Sequence, residues 1–249
     1  MPDLRQHAGA VYAALLDVAF PPGCVACAAG TADAPADRRD FCEGCWDDLP
    51  RFNEPVCTRC STPLAAADRD DPDCPACRRE VWAFDATIAL GAYDGLLRRL
   101  VLATKRRAGE PIAEALGRGL ARQVAAITPD DALIAPIPQH WRRRLLRRAD
   151  GVAALAGALA ERSGRPLARP LVRHRATPRQ TRIAPSGRAA NVRGAFSVPR
   201  PERVAGRTIL LVDDVLTTGA TCHAAAMALQ KAGAERVVAV VAARRLGGL

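Results

Sequence analysis

Lysine and aromatic residues are scarce in this chain of 249 residues. Only Lys105 and Lys231 occur among 36 basic residues, and aromatic side chains make up 4% of the sequence. With so few aromatic residues, the chain has no alternation of aromatic and basic side chains on which the bases of a nucleic acid could stack. Any predicted contact with a nucleic acid therefore depends on charge alone.

Long apolar runs are also absent. No stretch approaches the about 20 apolar residues that a membrane-spanning helix needs. The N-terminal segment has apolar residues at helical spacing, but His7 and Asp17 interrupt it, and no cleavage site typical of a secretory leader follows. We therefore expect a cytoplasmic protein without a membrane span.

Charge is distributed unevenly along the chain. Residues 1–80 contain 14 acidic and 8 basic residues, whereas residues 138–200 contain 15 arginines against Asp150 and Glu161. The net charge of +10 therefore comes from a concentrated basic segment. Such a segment predicts an anionic partner, either the phosphates of a small molecule or a nucleic acid. A solvated surface is the alternative reading for any single arginine.

Eight of the nine cysteines form four Cys-x-x-Cys pairs. Four thiolates in a tetrahedron suit Zn²⁺, and a gap of two residues lets one turn offer two of them. The sequence therefore predicts two structural zinc sites formed by Cys24, Cys27, Cys42, Cys45, Cys57, Cys60, Cys74 and Cys77. Each site could use consecutive or interleaved pairs, and disulfides are the alternative in an oxidising compartment. The ninth cysteine, Cys222, is expected to be a small buried thiol.

The character of the sequence changes near residue 80, which predicts domains at 1–80 and 81–249. The first is rich in Cys, Pro and Asp and has little apolar periodicity. In the second, apolar strands alternate with helices, which predicts an α/β fold with a mainly parallel sheet. We expect strands or a hairpin ending at Gly95, helices over 96–101, from Pro111 and beyond Asp150, a buried strand ending at Pro136, and a final strand, helix and strand. Residues 173–194 are expected to form a long exposed loop.

The segment at residues 209–221 predicts a ligand site. An apolar strand runs into Asp213 and Asp214, and a turn of Thr and Gly leads into a helix. Backbone N–H groups at a helix N-terminus bind phosphate without a cation. The lysine of a nucleoside-triphosphate P-loop is absent, which excludes that class. The two carboxylates could accept hydrogen bonds from sugar hydroxyls or hold Mg²⁺, so the segment predicts a ribose 5-phosphate site.

This segment resembles the signature of the type I phosphoribosyltransferases, which bind phosphoribosyl pyrophosphate (PRPP) with Mg²⁺. The resemblance implies that Asp213 and Asp214 contact the ribose hydroxyls. It assigns the 5-phosphate to Thr217, Thr218, Gly219, Ala220 and Thr221. It further implies that the strand and loop around Ile137 and Pro138 hold the pyrophosphate.

The arginine-rich segment after residue 173 resembles the loop that closes over PRPP in the same enzymes. Closure would bring Arg179 or Arg182 towards the charge of the leaving group. Lys105, after an amphipathic helix, is a further candidate for a phosphate contact. Some members of the class have a carboxylate where this chain has Thr217, so one candidate proton acceptor is absent.

The four Cys pairs ahead of such a domain resemble the ComF family, which joins a double zinc ribbon to a phosphoribosyltransferase-like domain. Members of that family are linked to natural transformation, so the resemblance implies single-stranded DNA and DNA-uptake proteins such as a helicase as partners. One departure concerns the residues after the pyrophosphate loop. The family usually has Arg-Gly-aromatic-Asn-Gln there, whereas this chain has Arg148, Ala149, Asp150, Gly151 and Val152, without the two side-chain amides.

Two functions follow from these patterns. In the first, the protein transfers a phosphoribosyl group from PRPP to an acceptor and releases pyrophosphate. In the second, the pocket senses PRPP or a nucleotide without catalysis, while the ribbons and the arginine-rich segment bind DNA or a protein.

Overall fold

A computed structural model describes residues 23–32, 34–35, 39–52, 55–65, 74–79, 82–139, 150–174 and 194–247. The chain forms two compact units, Met1–Leu49 and Pro50–Leu249. The boundary between the units precedes the third Cys-x-x-Cys pair, so the third and fourth pairs belong to the unit that contains the sheet. The division into domains at residue 80 stays a prediction about function.

The first unit is built around turns that carry cysteines. A bridge between Gly23 and Gly30 closes the turn that bears the first Cys pair. The short helix α1 (Glu43–Asp47) begins directly after Cys42. Each element here is short, so the unit has few apolar residues with which to form a core of its own.

The second unit alternates strands and helices. Its elements are β1 (Ala86–Ala92), α2 (Gly95–Ala103), α3 (Glu110–Ile127), β2 (Leu133–Pro136), α4 (Gly151–Ser163), β3 (Val172–Arg173), β4 (Phe196–Ser197), β5 (Thr208–Leu216), α5 (Ala220–Lys231) and β6 (Arg236–Arg244). The predicted helices and buried strands are confirmed. The segment before Gly95 forms one strand, β1, and the alternative of a hairpin is wrong.

The main sheet has the strand order β1–β6–β5–β2, and all three pairs of neighbours are parallel. In β5 the run from Ile209 to Val212 is fully buried, and so is nearly all of β6. Strands of this kind are apolar on both faces because helices cover both sides of a parallel sheet. The prediction of a mainly parallel α/β fold is therefore confirmed.

Helices α3 and α4 pack closely against each other. A side chain at Gly117 would collide with the Leu155 carbonyl, so the glycine permits this approach. Helix α4 begins at Asp150, whose carboxylate accepts a hydrogen bond from the Ala153 N–H at 3.2 Å, and it ends at Gly164 with φ of 69°. An acidic N-cap and a left-handed glycine are common boundaries of helices, and both were readable from the sequence.

The carboxyl ends of the four parallel strands lie at one edge of the sheet, where ligands bind in open α/β folds. The antiparallel pair β3–β4 flanks residues 175–193, which hold most of the predicted loop and lie outside the described residues. Among the helices that the structure describes, none combines the length and the apolar character needed to cross a bilayer.

Candidate functional site

A tight turn joins β5 to α5. Residues 217–219 form the turn, and Gly219 adopts a φ of 75° at the N-cap position. A Cβ at Gly219 would lie 2.6 Å from the Trp82 Nε1 atom. Glycine is therefore required both by the left-handed backbone and by the close approach of the indole ring.

The carbonyl groups of this turn are held from one side. The Arg244 guanidinium donates hydrogen bonds to the Leu216 and Thr217 carbonyls, and Trp82 Nε1 donates to the Thr218 carbonyl at 3.0 Å. In a trans peptide unit the C=O and the following N–H point in opposite directions. The N–H groups of residues 217–219 therefore point away from Arg244 and Trp82.

These N–H groups form a row of donors. Within the described part of the chain, the backbone N–H groups of residues 217–220 have no hydrogen-bond partner, whereas the His223 N–H donates to the Gly219 carbonyl at 2.7 Å. The Thr218 hydroxyl is shielded from solvent and also lacks a partner among the described residues. Free N–H groups at the start of a helix, together with the helix dipole, form a site for a phosphate.

Two carboxylates and a lysine lie just before the turn. The Asp214 N–H donates to Asp213 Oδ1 at 2.9 Å, and Lys105 Nζ lies 2.9 Å from Asp214 Oδ2. A side chain on Gly151, at the start of α4, would lie 2.9 Å from the Thr104 carbonyl. The residue before Lys105 is thus packed against α4, which gives the departure from the family pattern at Gly151 a steric reason.

Asp213 has an altered acidity. Burial and the neighbouring negative charge of Asp214 raise the pKa of Asp213 to about 7, although the positive charges of Lys105 and Arg173 act in the opposite direction. Two carboxylates this close destabilise each other as anions. A divalent cation or the hydroxyl donors of a sugar would relieve that repulsion, so the pair fits both groups that the sequence predicts there.

The strand β2 and the loop after it approach the site from the neighbouring position in the sheet. The Ile137 N–H donates to the Val212 carbonyl at 2.9 Å, and Pro138 has no N–H. Neither residue therefore offers a free backbone donor, and their predicted contact with pyrophosphate would need Gln139 or later residues. Gln139 Nε2 donates to the Asp150 carboxylate at 3.3 Å.

The remaining candidates divide in two. Lys105 reaches the carboxylate pair, although it is more than 100 residues from Asp214 in sequence. Arg179, Arg182 and Arg148 lie outside the described residues, so their predicted roles stay predictions. Cys222 is 1% exposed, and burial together with the nearby aspartates raises the pKa of its thiol well above the ordinary value. It is thus a buried thiol, as expected.

The eight paired cysteines form two groups of four, and in each group all Sγ atoms lie within 4.8 Å of one another. The groups use consecutive pairs, which decides between the two arrangements that the sequence left open. Contacts between pairs are 3.6 Å for Cys27–Cys42 and 3.5 Å for Cys60–Cys74. Sulfur atoms lie about 2.05 Å apart in a disulfide and about 3.8 Å apart around a tetrahedral Zn²⁺. Both groups fit a structural zinc ion.

The two groups share a backbone turn. Ala28 and Ser61, each the fourth residue after the first cysteine of its group, have φ of 63° and 54°. Each turn is closed by an antiparallel bridge, Gly23 to Gly30 and Val56 to Pro63. This correspondence confirms the weak internal repeat that the cysteine spacing indicates.

Comparison with protein families assigns both parts of the chain. Residues 15–78 match the double zinc ribbon domain, and residues 154–249 match the phosphoribosyl transferase domain. The chain combines a double zinc ribbon with a phosphoribosyltransferase domain. This combination, together with the relatives described next, confirms the resemblance to the ComF family.

Curated relatives carry related names. The chain is 29% identical over 199 residues to DNA utilization protein YhgH of Escherichia coli K12, a match that covers 75% of this chain and 83% of the relative. It is 25% identical over 208 residues to competence protein F of Haemophilus influenzae, covering 80% of this chain and 88% of the relative.

Solved structures give weaker matches. Glutamine PRPP amidotransferase from B. subtilis, in complex with ADP and GMP, is 25% identical with a TM-score of 0.36, and the match covers 53% of this chain and 27% of that one. The allosteric regulatory enzyme of purine biosynthesis is 22% identical with a TM-score of 0.35, over 52% of this chain and 25% of that one.

Sequence reasoning missed three residues near the site: Arg244, Trp82 and Gln139. Arg244 continues a buried strand, and Trp82 follows the cysteine-rich segment, so neither stands in a recognisable pattern. The only available signal was an arginine at the end of an otherwise apolar run. Their contacts join segments that are far apart in the chain, so no local pattern could indicate them.

Proposed function

We propose that this protein binds PRPP with Mg²⁺ at the turn between β5 and α5. The row of N–H groups at residues 217–220, without a partner among the described residues, is the observation that carries the proposal. These donors would hold the 5-phosphate, with Thr221 at the first turn of the helix. The matching phosphoribosyl transferase domain supports the same ligand.

Asp213 and Asp214 would hold the ribose hydroxyls and Mg²⁺, directly or through water. When bound, Mg²⁺ would neutralise part of the diphosphate charge. Lys105 pairs with Asp214 in this structure, and its ammonium group lies where it could turn to a phosphate oxygen. The predicted contributions of Ile137, Pro138, Arg179 and Arg182 belong to the same proposal.

Calorimetric titration with PRPP and Mg²⁺ tests the binding. The native chain should bind, and the double variant Asp213→Asn/Asp214→Asn should lose at least about tenfold in affinity, because each lost charge-assisted hydrogen bond contributes about 1.5–3 kcal/mol. Asp131→Asn is the matched control, since this exposed aspartate precedes β2 at the opposite edge of the sheet. Failure of the native chain to bind PRPP would refute the proposal.

The proposed role of this site is in handling single-stranded DNA during natural transformation. The names of the relatives, DNA utilization protein and competence protein F, support that role, as does the arginine-rich segment. Contact with DNA phosphates should weaken steeply as salt rises, so the affinity for single-stranded DNA should be measured at several salt concentrations. An affinity that does not change with salt would contradict a contact made by arginines.

Transfer of the phosphoribosyl group and sensing without catalysis are the two forms of this function. A site that mainly positions PRPP and stabilises the departing pyrophosphate would be a phosphoribosyltransferase once an acceptor is bound. Release of pyrophosphate in the presence of candidate bases and amines separates the two forms. Release that depends on an acceptor and disappears in the Asp213→Asn/Asp214→Asn variant would establish the enzyme.

A further inference from the structure

Arg244 connects the second cysteine group to the phosphate-binding turn. It is the last residue of β6, and only 7% of it is exposed. Its Nε donates to the Cys60 carbonyl at 3.0 Å, and its Nη1 donates to the Leu216 carbonyl at 3.1 Å and to the Thr217 carbonyl. One side chain therefore touches both a presumed zinc ligand's backbone and the turn that offers N–H groups to the ligand.

Trp82 completes the contact. Its ring lies 5.8 Å from the Arg244 guanidinium and stacks on Phe84 with ring centroids 5.2 Å apart. Its Nε1 holds the next carbonyl of the turn, that of Thr218. Arg244 and Trp82 together hold three consecutive carbonyls, and this arrangement turns the following N–H groups towards the other side.

The Cys60 end of this connection is rigid. Thr87 in β1 donates from its hydroxyl to the Arg59 carbonyl at 2.8 Å, and its own carbonyl accepts from the Ser61 hydroxyl at 2.8 Å. All four cysteines of the second group are buried. The backbone at Cys60 is thus fixed to the sheet on both sides, so Arg244 has a fixed acceptor.

Charge gives the connection a further reason. Burial of a guanidinium group is costly unless acceptors or opposite charges compensate for it. Four thiolates around one Zn²⁺ carry a net charge of about −2. A metal-loaded second group beside Arg244 therefore favours the charged, ordered guanidinium, and loss of the metal removes that support.

We propose that Arg244 is a positioning residue through which the second zinc site, formed by Cys57, Cys60, Cys74 and Cys77, orders the turn that binds phosphate. The inference rests on the proposed function, because it concerns the same turn. Coupling between two sites is reciprocal in binding free energy. A ligand at the turn must therefore strengthen retention of the metal, and the metal must strengthen binding of the ligand.

The first experiment uses the rate at which zinc passes to a coloured chelator. In the native chain, ribose 5-phosphate should slow release of one zinc ion by at least about fivefold and leave the other unchanged, since coupling energies of 1–3 kcal/mol are typical. In Cys27→Ser, which disables the first group, the remaining zinc ion should be the one that responds. Equal release rates with and without ribose 5-phosphate would overturn the inference.

The second experiment separates the guanidinium from its charge. Arg244→Lys keeps a cation but cannot reach the three acceptors together, so the affinity for ribose 5-phosphate should fall about tenfold, the size of a coupling of about 1.4 kcal/mol. Release of zinc should then no longer respond to the ligand. Arg245→Lys is the matched control, because this neighbouring side chain is exposed, and it should behave as the native chain does.

The outcomes distinguish this inference from the proposed function. If ribose 5-phosphate does not bind the native chain, the proposed function fails. If it binds but Arg244→Lys binds it equally well, the coupling is overturned while the proposed function stands. If Arg244→Lys does not fold, the zinc-release measurement on the native chain and on Cys27→Ser decides the inference alone.

Discussion

The two cysteine groups have the same ligands and the same turn but different surroundings. In the first group, Cys27 is exposed and Cys42 and Cys45 are partly buried, and the group lies in the unit Met1–Leu49. In the second group all four cysteines are buried in the hydrophobic core of the unit Pro50–Leu249, together with residues of the sheet. A shared motif therefore has two structural consequences. One group fixes its own loops, and the other forms part of the core of the domain that carries the candidate site.

The difference arises from backbone contacts around the second group. The Thr87 N–H donates to the Thr58 carbonyl at 2.9 Å, and Arg244 donates to the Cys60 carbonyl. These bonds join the metal-binding turn to β1 and to the end of β6. Loss of the second metal should consequently disturb the sheet and the site, which makes the comparison testable.

The largest expected effect is that of Cys60→Ser. A structural zinc ion contributes about 10 kcal/mol or more to folding in small zinc domains, which is comparable to the whole stability of a typical domain. We expect this variant to hold one zinc ion and to lose most of the cooperative thermal unfolding transition seen by circular dichroism.

Cys27→Ser is the matched variant in the first group. It should also hold one zinc ion, but the main unfolding transition should move by less than about 2 °C, because a change of 1 kcal/mol moves the midpoint by about 2–4 °C in chains of this size. Equal destabilisation by the two variants would show that the two groups are equivalent, against the comparison drawn here.

Gly219→Ala tests the close contact between the turn and Trp82. A left-handed backbone and a Cβ 2.6 Å from the indole nitrogen should together cost about 2–3 kcal/mol and lower the affinity for PRPP. Gly157→Ala in α4 is the control, because the structure offers open space for its Cβ, and helix propensity should stabilise the protein by up to about 1 kcal/mol. Chemical denaturation measures both values. An unchanged stability in Gly219→Ala would mean that the turn is free to move away from Trp82.

Trp82→Phe removes one donor and keeps an aromatic ring. The buried Thr218 carbonyl would lose its hydrogen bond at a cost of about 1–2 kcal/mol, and the affinity for ribose 5-phosphate should fall several-fold. Trp46→Phe, in the other unit, should leave that affinity unchanged. Titration calorimetry on both variants decides the matter, and an equal effect of the two substitutions would contradict a special link between Trp82 and the turn.

Asp213→Asn should have the smallest effect, and it should depend on pH. The carboxyl has a pKa of about 7 in the folded protein against 3.8 for an ordinary aspartate. Its contribution to stability is therefore fully present below pH 3.8 and is lost as pH rises through 7. The variant should melt about 3 °C above the native chain at pH 8, with a difference that vanishes near pH 4. A difference that does not change with pH would exclude a raised pKa at Asp213.

Local patterns predicted most of the fold and much of the candidate site. The strand, turn and helix around Asp213 and Gly219 are defined by residues that follow one another, so their apolar runs and turn formers are readable directly. The same holds for the two Cys-x-x-Cys knuckles of each zinc group and for the helix boundaries at Asp150 and Gly164. Each of these features is decided within one turn or one strand.

Other features depend on contacts between distant segments. The grouping of the cysteines was undecided because spacing permits two arrangements, and only the packed loops select the consecutive pairs. The single strand at residues 86–92 replaced the alternative of a hairpin because β6, which follows it by more than 140 residues, supplies a parallel partner. The Ile137 N–H proved to be occupied by β5, which no pattern around it could indicate.

The sequence by itself determined that this chain has two zinc ribbons, a parallel α/β domain and a turn suited to phosphate. The tertiary structure alone decided that the second ribbon belongs to the core of that domain, and that Arg244 reaches Cys60 from 184 residues away while Trp82 reaches Thr218 from 136 residues away. The physical reason is that periodicity and turn chemistry act between neighbours. The direction in which a turn's N–H groups point is fixed by the side chains that fold back to hold its carbonyls.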